Sequence, residues 1–220
     1  MKKIFTMAML LIAAQFAKAQ TEKGNQTLGV NLQFQHSNST GTNIDPVSKS
    51  ITVQDQKSTS FYTGPIYSYF ISNNLDLGGS LLYSSNRSTY GDAAGEQKQT
   101  NSSFGGTIFL RKYFMYQNKI GLRAGPYAAY SHSNSKFNNV PVNSVYDTKT
   151  TGDNYGAGIN AELLYYPTSH LGVSLTLANV SYNHYKSDSG NRGRNSGDSV
   201  NATFLNSGLG VSVFYTFTGK

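Results

Sequence analysis

Nine residues near the N-terminus, TLGVNLQFQ (27–35), set Leu28, Val30, Leu32 and Phe34 on one side of an extended chain and Gly29, Asn31, Gln33 and Gln35 on the other. One face is wholly apolar and the other polar or glycine, the period-two mark of a strand between two different environments. The pattern recurs. A second segment covers about 60–71, where Pro65 lacks a ladder donor. A third sets Leu75, Leu77, Gly79, Leu81 and Tyr83 against Asp76, Gly78, Ser80, Leu82 and Ser84. The fourth opposes Phe104, Gly106, Ile108 and Leu110 to Gly105, Thr107, Phe109, Arg111 and Tyr113, and the fifth opposes Ile120 through Tyr130 to Gly121, Arg123, Gly125 and Tyr127. The sixth pairs an outer set, Tyr155 to Tyr165, with Gly156, Gly158, Asn160, Glu162 and Leu164. Leu171, Val173, Leu175 and Leu177 then alternate with Gly172, Ser174, Thr176 and Ala178. The eighth segment, from Thr203 to Phe217, places Leu205, Leu209, Val211, Val213, Tyr215 and Phe217 opposite Phe204, Asn206, Gly208, Gly210, Ser212 and Phe214.

Seven of the eight segments are as long as the roughly 9 to 11 residues with which a tilted strand crosses a bilayer, whereas soluble strands more often stop at about 5 or 6. The connections alternate too. Short turns at 72–74, 115–118 and 167–170 separate long polar stretches at about 37–58, 86–101, 132–152 and 183–200, read as loops. A membrane barrel has that asymmetry, with short turns on one side and long connections on the other.

The chain opens MKKIFTMAMLLIAAQFAKAQ: two lysines, an apolar run from Ile4 to about Phe16, and small residues at Ala17 and Ala19. That is the layout of a signal peptide cleaved after Ala19, and the run is shorter than the roughly 20 apolar residues of a spanning helix. The expected organisation is a leader over 1–19 and one β-barrel domain over 20–220. Without the three leader lysines the net charge falls from +7 to +4. No basic block with interleaved aromatics marks a nucleic-acid partner.

The polar face decides which solvent lies outside. In a soluble barrel that face would meet water and carry Lys and Glu, but here it is crowded with glycine and small residues, as a narrow barrel interior requires. The apolar face therefore meets lipid, with tyrosines at strand ends as interfacial anchors. Lipid cannot satisfy free backbone N–H and C=O groups, so the sheet must close, with VSVFYTF (211–217) pairing to TLGVNLQFQ. The fold expected is all-β: an eight-stranded, antiparallel, up-and-down transmembrane β-barrel.

In YSYFISNNLDLGGSLLYSS (67–85), FGGTIFLRKYF (104–114) and GVSVFYTF (210–217), the chain resembles the small eight-stranded outer-membrane β-barrels of Gram-negative bacteria, the type of the OmpA transmembrane domain and OmpX. The resemblance implies export, insertion by the barrel-assembly machinery, and recognition of a C-terminal strand ending in an aromatic residue. This chain adds Thr218, Gly219 and Lys220 after Phe217.

Four charged side chains fall on the inward face. Arg111, Arg123 and Glu162 lie on consecutive strands, and Asp76 lies on the third. Facing arginines repel inside a barrel, so Glu162 is expected to bridge them with Asp76 as a lower partner, an interior ion-pair plug or, alternatively, a pore lining. No catalytic residue and no cofactor are assigned: there is no cysteine, no HExxH, no GxSxG and no phosphate loop. The histidines, His36, His132, His170 and His184, are read as solvated residues, three of them near the rim. Expected partners are outer-membrane lipid and lipopolysaccharide, whose phosphates suit the outer Lys and Arg residues, the assembly machinery, and an external loop ligand that the sequence does not name. The role expected is structural or surface-interactive and non-enzymatic, with a narrow diffusion channel or an exported soluble ligand-binding barrel as alternatives.

Overall fold

The computed structural model describes residues 20–44, 51–92, 95–139, 147–189, 193–204 and 209–218. The proposed leader, and Leu205, Asn206 and Gly208 of the eighth segment, lie outside the described residues. The strands are β1 (Gln26–Ile44), β2 (Ile51–Ser72), β3 (Leu75–Asp92), β4 (Gly95–Tyr116), β5 (Ile120–Asn139), β6 (Asp147–Tyr165), β7 (Leu171–Asp188), β8 (Arg194–Phe204) and β9 (Leu209–Phe217). All neighbours are antiparallel, and β8 and β9 both pair with β7, so they are two pieces of one eighth stave. The ring closes where β9 meets β1, from Gln26↔Phe217 to Phe34↔Leu209. The closing pair is therefore the one that the alternation of VSVFYTF and TLGVNLQFQ predicts.

Closure follows solvent. Between Leu28 and Phe34, where β1 carries its apolar outer face, the strand is bonded on both sides. Beyond Phe34, β1 pairs only with β2, and β8 only with β7, among the described residues. Hydrocarbon forbids an open edge, but water satisfies one. The barrel is thus closed along the lipid band, and above it β1 and β8 do not pair with each other among the described residues.

The polar stretches read as loops are mostly strand. Every described residue of these stretches is strand except Ser189 and Gly193. Above the lipid both faces meet water, so alternation fades from the sequence while hairpin pairing persists. Inward Ser and Asn side chains join these outer staves, as in Ser84–Ser103 at 2.6 Å and Asn86 to Ser60 at 2.6 Å.

Two faces depart from simple alternation. Ala161 pairs with Ala178 but Glu162 with Thr176, so Leu177 is an extra residue. This bulge swaps the outward set of β7 from Leu171, Val173 and Leu175 to Ala178, Val180 and Tyr182. The eighth stave also changes phase: Phe204, expected inside, is 75% exposed, whereas Phe214 is 2% exposed.

The short turns obey local backbone chemistry. Gln117 (φ 49°) and Asn118 (φ 53°) sit between Tyr116 and Lys119, whose N–H donates to the Tyr116 carbonyl at 3.1 Å, a type I′ hairpin turn. Asn74 (φ 61°) turns β2 into β3. The N-terminal segment folds against that turn, with Thr21 Oγ1 donating to Asn74 Oδ1 at 2.5 Å and Phe70 N–H to the Asn25 carbonyl at 2.9 Å.

The outer surface inverts that of a soluble protein. Ile108, Ile159, Leu28 and Leu77 are exposed, while their inward neighbours Phe109, Leu164 and Phe70 are buried. Tyr155 and Tyr165 stand ten positions apart on β6. At about 3.3 Å per residue and about 40° of tilt they mark a band about 25 Å tall, the height of a bilayer's apolar core in such barrels.

Candidate functional site

The interior is layered from the short-turn end upward. At the bottom lies an apolar plug of Phe70, Tyr113, Leu164, Tyr166 and Phe214, with Met115 against it. Tyr166 and Phe214 meet edge to face at 5.5 Å between centroids, and Phe70 and Tyr113 lie tilted at 55° with centroids 5.1 Å apart. Glycine makes room for these rings. A Cβ on Gly172 would enter the ring of Phe214, and one on Gly78 would come within 2.8 Å of Phe109 Cε2.

Directly above stand the four charged residues singled out in the sequence, all buried. Register explains their partners. Asp76 lies opposite Arg111 across β3 and β4, and Arg123 opposite Glu162 across β5 and β6. Arg111 grips Asp76 with two bonds, Nε to Oδ1 at 3.1 Å and Nη2 to Oδ2 at 2.6 Å. Arg123 sends Nε and Nη2 to Glu162 Oε2 at 2.9 and 2.5 Å.

The structure corrects one expectation here: Glu162 does not bridge the two arginines. Arg123 stands opposite Tyr113, not Arg111. Each arginine consequently has its own carboxylate on an adjacent strand. The link between the pairs is the Tyr113 hydroxyl, which donates to Asp76 Oδ2 at 2.8 Å and accepts from Arg123 Nη1 at 3.2 Å. Tyr113 carried a sequence signal, a large ring beside Arg111 on the inward face of β4, but its hydroxyl's reach was invisible without register.

The remaining polar capacity is met nearby. Arg123 Nη2 donates to Ser174 Oγ at 2.9 Å, and Asn160 Nδ2 to Glu162 Oε1 at 3.0 Å. The guanidinium of Arg111 lies 3.8 Å from the centre of the Phe109 ring, and that of Arg123 lies 5.1 Å from that of Phe214. Paired, bonded and stacked on rings, these charges form a satisfied buried network.

Arg111, Arg123 and Glu162 also floor a cavity of about 400 Å3. Asn31, Gln33, Tyr62, Tyr127 and Asn179 are among its walls, and Tyr127 donates to Asn179 Oδ1 at 3.0 Å. It carries no nucleophile–base pair, and among the described residues no three His, Asp or Glu side chains converge as a metal site.

A second arrangement, missed by sequence reasoning, lies outside. Tyr130 and His132 on β5 both bond Asp153 Oδ1 on β6, at 2.7 and 2.9 Å. Tyr182 and His184 on β7 repeat this with Asp198 Oδ1 on β8, at 2.5 and 2.9 Å. Hydrogen bonds, led by His132 at Asp153 and by Tyr182 at Asp198, hold both carboxyls below the ordinary aspartate range. The signal was a repeated Tyr-x-His, each two residues beyond the apolar band.

The family model for the outer membrane protein beta-barrel domain matches residues 4–217. Among solved structures, the attachment invasion locus protein Ail of Yersinia pestis is 14% identical, covering 89% of this chain and 99% of its own at a TM-score of 0.40. OprG of Pseudomonas aeruginosa is 13% identical, covering 92% and 100%, at 0.41. A major outer membrane protein of Thermus thermophilus is 8% identical, covering 86% and 99%, at 0.42. A search of curated proteins finds no significant match.

Proposed function

The chain belongs to the family of outer membrane protein beta-barrel domains, and on that premise we propose that it serves the bacterial outer membrane as a sealed, non-enzymatic barrel whose tall outer hairpins carry its surface interactions. The leader over 1–19 directs export and is cleaved after Ala19, and the aromatic C-terminal strand serves the barrel-assembly machinery during insertion.

One observation carries the sealed reading. Beneath the ion-pair network, Phe70, Tyr113, Leu164, Tyr166 and Phe214 are each no more than 2% exposed, packing that supports a closed floor beneath the cavity. Above that floor the cross-section is also occupied by the two buried, bonded ion pairs. The outer staves, by contrast, run far beyond the apolar band and present polar side chains to solvent. They have the form of a display surface.

Liposome swelling tests the reading. Proteoliposomes holding the wild-type barrel are expected to swell in arabinose no faster than empty ones. Size-dependent sugar uptake would favour a diffusion channel.

A further inference from the structure

The upper aromatic residues follow the tilt of the staves. Phe34 pairs with Phe61, Tyr83 with Phe104 and Tyr130 with Tyr155, while the register steps by two residues between these hairpins, at Phe61↔Ser85, Phe104↔His132 and Tyr155↔His184. Together with Tyr182 they form one girdle. Two residues farther out on each stave, about 5 Å higher at this tilt, comes a second ring: His36 opposite Thr59, Ser85 opposite Ser102, His132 opposite Asp153, and His184 opposite Asp198. Three of the four histidines stand at this level, all on upward strands and each following Phe34, Tyr130 or Tyr182 in an aromatic-x-His pattern. Above them the outward face turns basic, with Lys57, Arg87, Lys136, Lys149 and Lys186 exposed and Arg194 paired with Asp188 at 2.9 Å.

The hydrogen bonds fix the histidine chemistry. An ionised carboxylate only accepts, so His132 Nδ1 and His184 Nδ1 must carry the protons given to Asp153 and Asp198. In neutral imidazole the other ring nitrogen, Nε2, is then a bare acceptor. Protonation converts it to a charged donor. Among the described residues Nε2 of these rings bonds to nothing, and the His132 and His184 side chains are 46% and 35% exposed.

A group just above an outer aromatic girdle meets lipid headgroups. We infer that His36, His132 and His184 form a protonation-dependent contact for the phosphates of anionic lipid headgroups in the outer leaflet. The inference rests on the membrane placement proposed above. At His132 and His184 an unprotonated Nε2 opposes a phosphate oxygen with its lone pair, and at His36, whose Nδ1 lies against the Thr59 hydroxyl, protonation adds the charge. Once protonated, Nε2 donates a charge-assisted hydrogen bond and adds to the attraction of the lysines and arginines higher up.

The surroundings of each ring are defined. His132 faces Asp153 on β6 and Phe104 on β4, with Lys186 beyond Asp153 on β7. His184 faces Asp198 on β8 and Tyr155 on β6, with Lys186 two residues on. His36 faces Thr59, with its Nδ1 2.9 Å from the hydroxyl. Protonation leaves each Asp bonded and changes only the outward nitrogen.

The test uses spin-labelled lipids and the reconstituted full barrel in phosphatidylcholine vesicles. Phosphatidylglycerol keeps its charge between pH 5.5 and 8, so any pH dependence of its preference over phosphatidylcholine belongs to the protein. That relative association constant should rise about twofold or more from pH 8 to pH 5.5. In His36→Asn/His132→Asn/His184→Asn the rise should vanish while the pH 8 preference, due to Lys and Arg, remains. If the triple variant does not fold, His132→Gln and His184→Gln should each lose part of the rise. A flat wild-type profile, or a rise that survives the triple substitution, overturns the histidine contact. Absence of any motionally restricted lipid overturns the membrane placement with it.

Discussion

Tyr113 and Arg123 face each other across β4 and β5, and the 3.2 Å hydrogen bond from Arg123 Nη1 to the Tyr113 hydroxyl joins two ion pairs that register would otherwise keep apart. The same hydroxyl reaches Asp76. One phenol thus makes Asp76–Arg111 and Arg123–Glu162 a single buried unit, and its ring belongs to the apolar plug beneath.

Tyr113→Phe keeps that ring and deletes the joint. Asp76 and Arg123 each lose a partner in a buried site, so the barrel should lose about 1–3 kcal/mol. Urea unfolding in detergent measures this. A double-mutant cycle between Asp76→Asn and Glu162→Gln should show coupling that disappears in the Tyr113→Phe background.

Glu162→Ala leaves the Arg123 guanidinium buried without its carboxylate, at a cost of about 3–5 kcal/mol. Arg123→Met combined with Glu162→Leu removes both charges and should be more stable than Glu162→Ala alone. The same unfolding experiment compares them, and equal stability would mean that the charge left behind is solvated.

Closure along the lipid band has a kinetic signature. Amides from Leu28 to Phe34 lie in a strand bonded on both sides, whereas beyond Phe34 β1 has β2 alone among the described residues. In hydrogen exchange the first group should be uniformly protected. Between Gln35 and Gly41, amides pointing away from β2 should exchange rapidly.

The outer carboxyls give an acid limit. Asp153 and Asp198 are held low by bonds from His132, Tyr130, Tyr182 and His184. A carboxyl with a lowered native pKa contributes stability that is whole above its unfolded value, near 3.9, and is lost as pH falls through the native value. The β5–β6 and β7–β8 hairpins should therefore loosen below about pH 4. Amide exchange in those outer staves, compared with Asp153→Asn and Asp198→Asn, reads the effect.

Much of this molecule was legible in the sequence, for one reason. Where one side of a strand meets lipid and the other a narrow interior, alternation records the face of every residue, and Leu28, Ile108 and Val213 could be placed outward from sequence alone. Where both faces meet water, nothing constrains alternation, and the staves beyond Phe34, Tyr83 and Tyr130 looked like loops. Insertions hide as well. The extra Leu177 reverses the faces of β7, and a phase change places Phe204 outside, because period-two reasoning carries no knowledge of a bulge. The interior charges were visible as charges on a face of small residues, but their pairing depended on register, which only the paired strands reveal.

The proposed seal is tested most directly by current across a planar bilayer holding the purified wild-type barrel. The account predicts a silent membrane after insertion, with no conductance steps at moderate voltage, since apolar rings and bonded ion pairs fill the lower cross-section. Steady stepwise conductance from heat-modifiable, fully folded protein would contradict it.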